Sequence, residues 1–197
     1  MDRTLLAWGL RRTRRAGQGL LPPRLWLFTD PHRLPDPRAA AAALPRGRAG
    51  VVLRHDDDPQ RAALGRDLAR ICRERRLVLV VAGNARLAAG LRAGAHLRGG
   101  RWAGFPRRAG IVTSSAHSVP DLRRAARAGA DLVFLSPAFP TASHPGAPGL
   151  GPLRWGAMVR RVPGIRVGAL GGVDGTCLRR LPGDACQAAG AIGALAP

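Results

Sequence analysis

The sequence contains no lysine and no tyrosine, although 32 of its residues are basic. All of its basic residues other than histidine are therefore arginine. Without a side-chain amine the chain cannot form the Schiff base on which imine-forming aldolases depend. An anionic ligand would have to be bound by arginine, by backbone N–H groups or at a helix N-terminus.

Acidic residues are also scarce, because the chain has only 12 of them and a formal net charge of +20. Such a charge often marks a nucleic-acid-binding protein. Here the arginines are spread over many predicted helices and form no single stripe. Alanine, glycine and proline are abundant as well, and their codons, like those of arginine, are GC-rich. We therefore interpret the charge as coding bias and predict no nucleic-acid partner.

Cysteine is rare too, with Cys72, Cys177 and Cys186 at spacings that match no metal-binding or redox motif. Their odd number predicts structural thiols in a reducing compartment. No segment approaches the roughly 20 apolar residues that a membrane-spanning helix needs. The apolar runs near residue 1 are too short for the core of a signal peptide. We expect a cytoplasmic protein without a membrane partner.

Short apolar runs alternate with helix-like segments along residues 24–197. Most runs are apolar throughout, which is typical of strands buried on both faces of a parallel sheet. About eight such units predict a single closed (β/α)₈ TIM barrel, and an open doubly wound sheet is the alternative. The runs lie at 24–29, 49–54, 77–82, 94–97, 110–114, 131–135, 165–170 and 185–195.

The two ends of the chain depart from a complete barrel. Residues 1–23 are basic and are interpreted as an arm or an extra helix outside the barrel at 24–197. After the last run there is no room for a full eighth outer helix, so an apolar face would be uncovered. This shortened end predicts a homodimer, or an arm that folds over the gap.

Two helix starts can be located from capping residues. Asp58 followed by Pro59 predicts a helix beginning there, and Ser118 with Pro120 predicts a second. Both patterns place a side-chain acceptor before a proline in the first turn.

Functional side chains of such barrels lie where strands end and the following loops begin. The run at 131–135 stops at Ser136-Pro137 and is followed by a long loop of proline, glycine and hydroxyl residues. Long loops in compact domains usually serve a site or are disordered. We expect this loop to form a flap over the barrel mouth.

Five segments resemble, in the same order, the thiamine-phosphate synthase and thiazole tautomerase superfamily. The segments read "LWLFTD", "GAHL", "SSAHS", "GADLVFLSPAFPTASHPGAPGLG" and "ALGGV". The resemblance covers about residues 24–195, and the sixth-strand segment is its most specific part. It implies a (β/α)₈ barrel that binds thiazole phosphate.

The resemblance also implies positions for a magnesium ion and two lysines, and this sequence differs at most of them. The family's Gln-x-Arg-x-Lys run corresponds to residues 52–56, where only Arg54 is kept. Its Asn-Asp pair corresponds to 82–83, which read Ala-Gly. Its Gly-Gln-x-Asp run corresponds to 98–101, and its loop lysine to His144. Magnesium prefers carboxylate oxygens, so we predict no metal and no other cofactor.

The residues that remain are compatible with a proton transfer that needs no metal. The tautomerase branch uses a histidine after strand five, which corresponds to His117, and an imidazole exchanges protons near neutral pH. We predict His117 as the catalytic residue of a thiazole tautomerase-like isomerase acting on a phosphorylated thiazole. The predicted substrate- and phosphate-binding residues are Arg54, Ser115, Thr141, Ser143, Gly171, Gly172, Ile192 and Gly193.

Two other functions fit the same sequence. In the first, a divergent thiamine-phosphate synthase uses arginines such as Arg98 and Arg101 in place of magnesium. In the second, the barrel binds thiazole or thiamine phosphates without catalysis. For the glycine pairs at 171–172 and 192–193, tight turns are the structural alternative to phosphate binding.

For His117 the structural alternative is a solvent-facing histidine at a helix cap, and the remaining histidines have structural alternatives as well. His96 is expected to be structural because it lies within a strand. His55 with the acids at 56–58 could form a metal site, but acids that complement a helix N-terminus are the preferred interpretation. His144 lies on the predicted flap, where it could contact a ligand anion or be exposed.

Overall fold

The computed structural model describes residues 1–11, 21–101, 110–142, 146 and 148–196 of this chain. Eight parallel strands form a closed barrel in chain order, and the last strand pairs with the first. The predicted (β/α)₈ barrel is confirmed and the open sheet is wrong. The strands are β1 (Leu25–Phe28), β2 (Ala49–Leu53), β3 (Val78–Ala82), β4 (Gly94–Arg98), β5 (Val112–Ala116), β6 (Leu132–Leu135), β7 (Val167–Leu170) and β8 (Ala188–Ala191).

The helices of the described residues surround the barrel. They are α1 (Arg3–Leu10), α2 (Arg38–Ala43), α3 (Arg61–Arg75), α4 (Ala85–Leu91), α5 (Val119–Arg127), α6 (Gly151–Arg160) and α7 (Gly175–Leu178), with a 3₁₀ turn at Gly193–Leu195. None of them is long and apolar enough to cross a membrane.

One predicted helix start is confirmed and the other is wrong. Ser118 caps α5, because its hydroxyl accepts the N–H of Asp121 at 3.2 Å. Asp58 does not cap α3, which begins at Arg61 without a side-chain cap. The Asp58 carboxylate instead accepts the N–H of Gln60 at 2.7 Å, and its carbonyl accepts that of Arg61. This tight turn comes before the helix and delays its start.

The barrel interior is filled by side chains. Phe28 and Phe134 meet edge to face with ring centroids 4.8 Å apart, and Trp26 meets Phe134 at 5.8 Å. His96 packs edge to face against Phe28 at 5.6 Å. Such arrangements are favourable for aromatic pairs. The rings close the interior and form a floor beneath the mouth of the barrel.

Helix α1 lies on the outside of the barrel, beside α7 and the turn that follows β8. It packs against α7, and Leu5 is completely buried in the layer between barrel and helices. The backbone N–H of Asp2 donates to the carbonyl of Ala194, just beyond β8, at 2.8 Å. In a complete barrel this outer position belongs to a helix that follows β8. Helix α1 occupies this outer position in the described structure.

The cysteines are all free thiols. Burial raises the pKa of both Cys72 and Cys186 to about 12. A thiol is reactive as its thiolate, so these two side chains are inert core groups, in agreement with the predicted structural role.

Candidate active site at the barrel mouth

A cavity of about 810 Å³ opens where the strands end, and the loops after seven of the eight strands contribute to its wall. Eight of the nine predicted site residues line it together. They are Arg54, Ser115, His117, Thr141, Gly171, Gly172, Ile192 and Gly193. Ser143 lies outside the described residues, as does His144 of the predicted flap. The geometry brings the eight residues together, and their individual roles stay predictions.

His117 is held in one orientation by the loop after β6. Its Nδ1 lies 3.0 Å from the carbonyl oxygen of Ser136 and 3.3 Å from the hydroxyl of the same residue. A carbonyl can only accept, so in the neutral ring Nδ1 carries the hydrogen and donates it. That tautomer leaves Nε2 as the basic nitrogen. The ring is exposed and borders the cavity, so it can exchange a proton with a bound molecule.

Asp121 fixes the backbone of His117. One carboxylate oxygen accepts a hydrogen bond from the backbone N–H of His117 at 3.1 Å. The other accepts a hydrogen bond from Nη1 of Arg124 at 2.8 Å. Burial by itself raises the pKa of Asp121. The hydrogen bonds from His117, Ser118 and Arg124 outweigh that effect and hold the pKa below its usual range. The ionised carboxylate therefore ties the end of β5 to the first turn of α5.

Arg54 follows β2 and is anchored to the end of β1. Its Nε donates to the carbonyl of Thr29 at 3.0 Å, and its Nη2 donates to Asp30 at 3.0 Å. The guanidinium carbon lies 5.5 Å from the ring centroid of Phe28. Burial lowers the pKa of Arg54, but arginine remains protonated in proteins. A preorganised cation thus borders the cavity.

A second group of arginines surrounds Asp56. Nη2 of Arg61 lies 3.0 Å from one Asp56 oxygen, and Arg98 binds the other. Arg61 also donates to the carbonyl of Ala82, and its burial lowers its pKa. Arg98 extends over Gly83, where an added Cβ would lie 3.5 Å from the guanidinium carbon. We call Asp56, Arg61 and Arg98 the arginine cluster.

Sequence patterns did not indicate the arginine cluster. Asp56 was expected to complement a helix N-terminus, but α3 begins only at Arg61. The three residues come from the ends of β2 and β4 and from the first turn of α3, so only the closed barrel brings them together. The one signal in the sequence is an arginine at 98 where the resemblance implies an acid-containing run.

The side chains at this position do not fit a magnesium ion. Within the described residues, no group of three or more histidine, cysteine, aspartate or glutamate side chains could hold a metal. Both oxygens of Asp56 already bind guanidinium groups. Magnesium requires several oxygen ligands in a near-octahedral arrangement, and Arg98 brings a positive charge instead.

His55 is not part of a metal site either. Its ring is buried, with Nδ1 3.0 Å from the hydroxyl of Thr29 and Nε2 3.3 Å from the carbonyl of Pro35. The carbonyl must accept, so Nε2 carries the hydrogen and Nδ1 accepts from Thr29. The ring thus connects β1, the loop after it, and β2.

His96 lies at the floor of the cavity and has the structural environment expected of it. It is 2% exposed, and its Nδ1 lies 2.8 Å from the hydroxyl of Thr113. Burial lowers the pKa of His96 to about 3, and the positive charges of Arg54 and Arg98 act in the same direction. The ring is therefore neutral near pH 7.

The glycines after β7 let two loops approach closely. Gly172 has a φ of +62°, and a Cβ there would lie 2.2 Å from the carbonyl oxygen of Pro140. The carbonyl of Gly171 accepts the N–H of Phe139 at 3.0 Å. The first part of the predicted flap, residues 136–142, is thus fastened to the loop after β7. The close approach of the loops explains Gly172, and phosphate binding by these loops stays a prediction.

Comparisons with known proteins agree with this architecture. The family model described as thiamine monophosphate synthase matches residues 25–193. The structure resembles thiamine phosphate pyrophosphorylase from Pyrococcus furiosus, with 23% identity, a TM-score of 0.69 and coverage of 86% of this chain and 85% of that one. It also resembles a structure described as native KDPGal, with 18% identity, a TM-score of 0.61 and coverage of 91% and 86%. No curated protein matches the sequence.

These structural likenesses fall below 25% identity, so they show the fold alone. The family match has more weight because it extends from the first residue of β1 to Gly193. It spans every strand and all eight predicted residues that line the cavity. The chain therefore belongs to the thiamine monophosphate synthase family.

Proposed function

We propose that this protein acts on a phosphorylated thiazole in thiamine biosynthesis, and that His117 transfers a proton on that ligand without a metal. The observation that carries the proposal is the orientation of His117. The carbonyl of Ser136 lies 3.0 Å from Nδ1, which leaves Nε2 as the basic nitrogen of a ring that borders the cavity.

The proton transfer needs no further reactant. Nε2 takes a proton from one position of the thiazole ligand, and the imidazolium returns it to another position of the same ligand. The two steps leave the number of atoms and electrons unchanged and convert one tautomer into its aromatic isomer. An imidazole suits both steps because it accepts and releases protons near neutral pH.

The ligand's phosphate would lie against the loops after β7 and β8. Both loops border the cavity through Gly171, Gly172 and Gly193, and glycine lets a backbone N–H group approach an anion closely. Arg54, anchored on the wall formed by β1 and β2, would bind a carboxylate or a second phosphate oxygen.

A second candidate is synthase chemistry, in which the thiazole nitrogen displaces pyrophosphate from a pyrimidine diphosphate. The family match supports this candidate at least as well as the first. The specific observation in its favour is the arginine cluster, which places Arg98 on the cavity wall with Arg54. Guanidinium groups stabilise departing phosphate charge in many enzymes, and here they would act in place of magnesium.

One experiment separates the candidates. The purified protein is incubated without metal with the non-aromatic tautomer of the thiazole carboxylate phosphate, and the ultraviolet change on aromatisation is followed. A parallel sample receives thiazole phosphate, the pyrimidine diphosphate and magnesium. We expect metal-independent aromatisation that falls by about 100-fold or more in His117→Asn, since general acid–base catalysis typically contributes 10²–10⁴-fold.

His32→Asn is the matched control, because His32 is exposed and does not line the cavity. It should keep full activity. Thiamine phosphate in the parallel sample would establish the synthase and overturn the tautomerase. Ligand binding without turnover in either sample would identify the non-catalytic barrel.

The predicted homodimer stays a prediction, and the face beside α7 that first suggested it is packed against α1. Leu153 on α6 is the most exposed large apolar side chain of the described residues, at 87%. We propose that the protein forms a homodimer through that surface. Sedimentation of the unaltered protein and of Leu153→Ser tests it, and a monomer in both samples contradicts it.

A further inference from the structure

Asp2 connects the start of α1 to two loops at the barrel mouth. Its backbone N–H donates to the carbonyl of Ala194 at 2.8 Å. One carboxylate oxygen accepts the N–H of Gly175 at 2.7 Å. The other accepts the N–H groups of Thr4 and Leu5 at 2.8 and 3.0 Å. A single residue is thus hydrogen-bonded to three segments that lie far apart in the sequence.

Both loops that Asp2 holds border the cavity. The loop after β7 contributes residues 171–173, and the loop after β8 contributes residues 192–194. Asp2 itself lies outside the cavity wall, so it cannot act on a ligand directly. Asp2 bridges the two loops, with its backbone N–H bound near one and its carboxylate near the other.

The packing of α1 leaves little freedom at this junction. A Cβ at Gly175 would lie 2.4 Å from the Cβ of Thr4 and 2.6 Å from the backbone nitrogen of Leu5. Helix α1 is therefore in direct contact with Gly175, the residue at which the loop after β7 leads into α7. A shift of the helix would move that loop.

We propose that Asp2 is a positioning residue that holds the loops after β7 and β8 at the spacing required to bind a phosphate group. The inference rests on the phosphate site of the proposed function. It gives α1, which packs on the outside of the barrel against α7, a role in forming the site.

The chemistry of the carboxylate explains why aspartate is needed. Asp2 accepts three N–H groups with two oxygens, and the N–H of Gly175 is the largest influence that lowers its pKa. An asparagine has one acceptor oxygen and one NH₂ donor. In Asp2→Asn the NH₂ group must face at least one backbone N–H, so one of the loop or helix contacts is lost.

The test compares Asp2→Asn with Asp131→Asn. Asp131 is a matched control, because its carboxylate also accepts a backbone N–H, that of Val112 at 2.7 Å, at the opposite end of the barrel. Two quantities are measured in each protein. One is hydrogen exchange in segments 171–175 and 192–196, and the other is the dissociation constant for inorganic phosphate by calorimetry.

We expect both substitutions to lower the melting temperature, but only Asp2→Asn to change the site. Its two segments should exchange faster, and its affinity for phosphate should fall by about tenfold, as when only about a tenth of the free molecules keep the loop spacing that binds phosphate. If Asp2→Asn does not fold, Gly175→Ala replaces it, because the added Cβ pushes the same loop away from α1.

Unchanged exchange in both segments, or unchanged affinity in Asp2→Asn, would overturn the proposal. Failure of the unaltered protein to bind phosphate would overturn the phosphate site of the proposed function. The exchange measurement needs no ligand, so it would still decide whether Asp2 holds the loops.

Discussion

His96 makes stability depend on pH. Burial lowers its pKa from 6.5 to about 3 in the folded protein. Between these values the unfolded chain binds the proton and the folded chain does not. The stability that the neutral ring contributes is therefore present above pH 6.5 and is lost as the pH falls toward 3, by about 1.4 kcal/mol per pH unit.

Urea unfolding of the unaltered protein and of His96→Asn at about pH 7, 6 and 5 measures this effect. Asparagine can keep a hydrogen bond to Thr113 but does not titrate. The free energy of unfolding should fall more steeply with decreasing pH in the unaltered protein. Parallel pH dependences would show that the acid sensitivity comes from other groups.

The sequence predicts the structural role of a residue well when the residues that it contacts are close to it in the chain. Ser118 was located as a cap because the helix it caps follows at once. Asp56 could not be placed, because its two partners, Arg61 and Arg98, become neighbours only when β2 and β4 join the same barrel. Asp2 is a more extreme case, since its contact with Gly175 joins residues 173 positions apart.

Among the elements, the loop after β7 determines the position of the flap. Gly172→Ala would place a Cβ 2.2 Å from the carbonyl oxygen of Pro140, in addition to the strain of a positive φ. Gly129→Ala is the matched control, because Gly129 has a φ of +75° and no heavy atom within 4 Å of the added Cβ.

We expect Gly129→Ala to lower the free energy of unfolding by about 1 to 2 kcal/mol, the usual cost of a left-handed backbone for alanine. Gly172→Ala should cost more and should also raise the exchange of residues 136–142, because the two loops must separate. Urea unfolding and hydrogen exchange measure both effects. Equal losses in the two variants would show that the flap is not held by this contact.

Strands and helices could be predicted from the sequence where a single physical effect determines the pattern of residues. Barrel strands are buried on both faces, so continuous apolar runs such as "LVLVV" before Ala82 marked them. The predicted start of α3 was wrong because an aspartate followed by proline also favours a tight turn. Here that turn comes before the helix. The docking of α1 was one of two alternatives, since the sequence shows an uncovered face but not what covers it.

The whole molecule has a net charge of +20, so the folded state suffers from self-repulsion among its arginines. Raising sodium chloride from about 10 mM to about 150 mM shortens the Debye length from roughly 30 Å to roughly 8 Å. We expect the melting temperature to rise over this range. Chloride is preferable to phosphate because phosphate would also bind the proposed site. A falling melting temperature would mean that the ion pairs around Asp30 and Asp56 outweigh the repulsion.

The contacts of α1 have a consequence for the order of folding. Helix α1 is synthesised before every strand of the barrel, whereas Gly175 and Ala194, which Asp2 contacts, follow β7 and β8. Until then its apolar side, with Leu5, has no surface to pack on. Contacts between distant parts of a chain form late and slow folding. With Asp2 in its proposed role, the two loops would reach their final spacing only after α1 has packed beside Gly175 and Ala194.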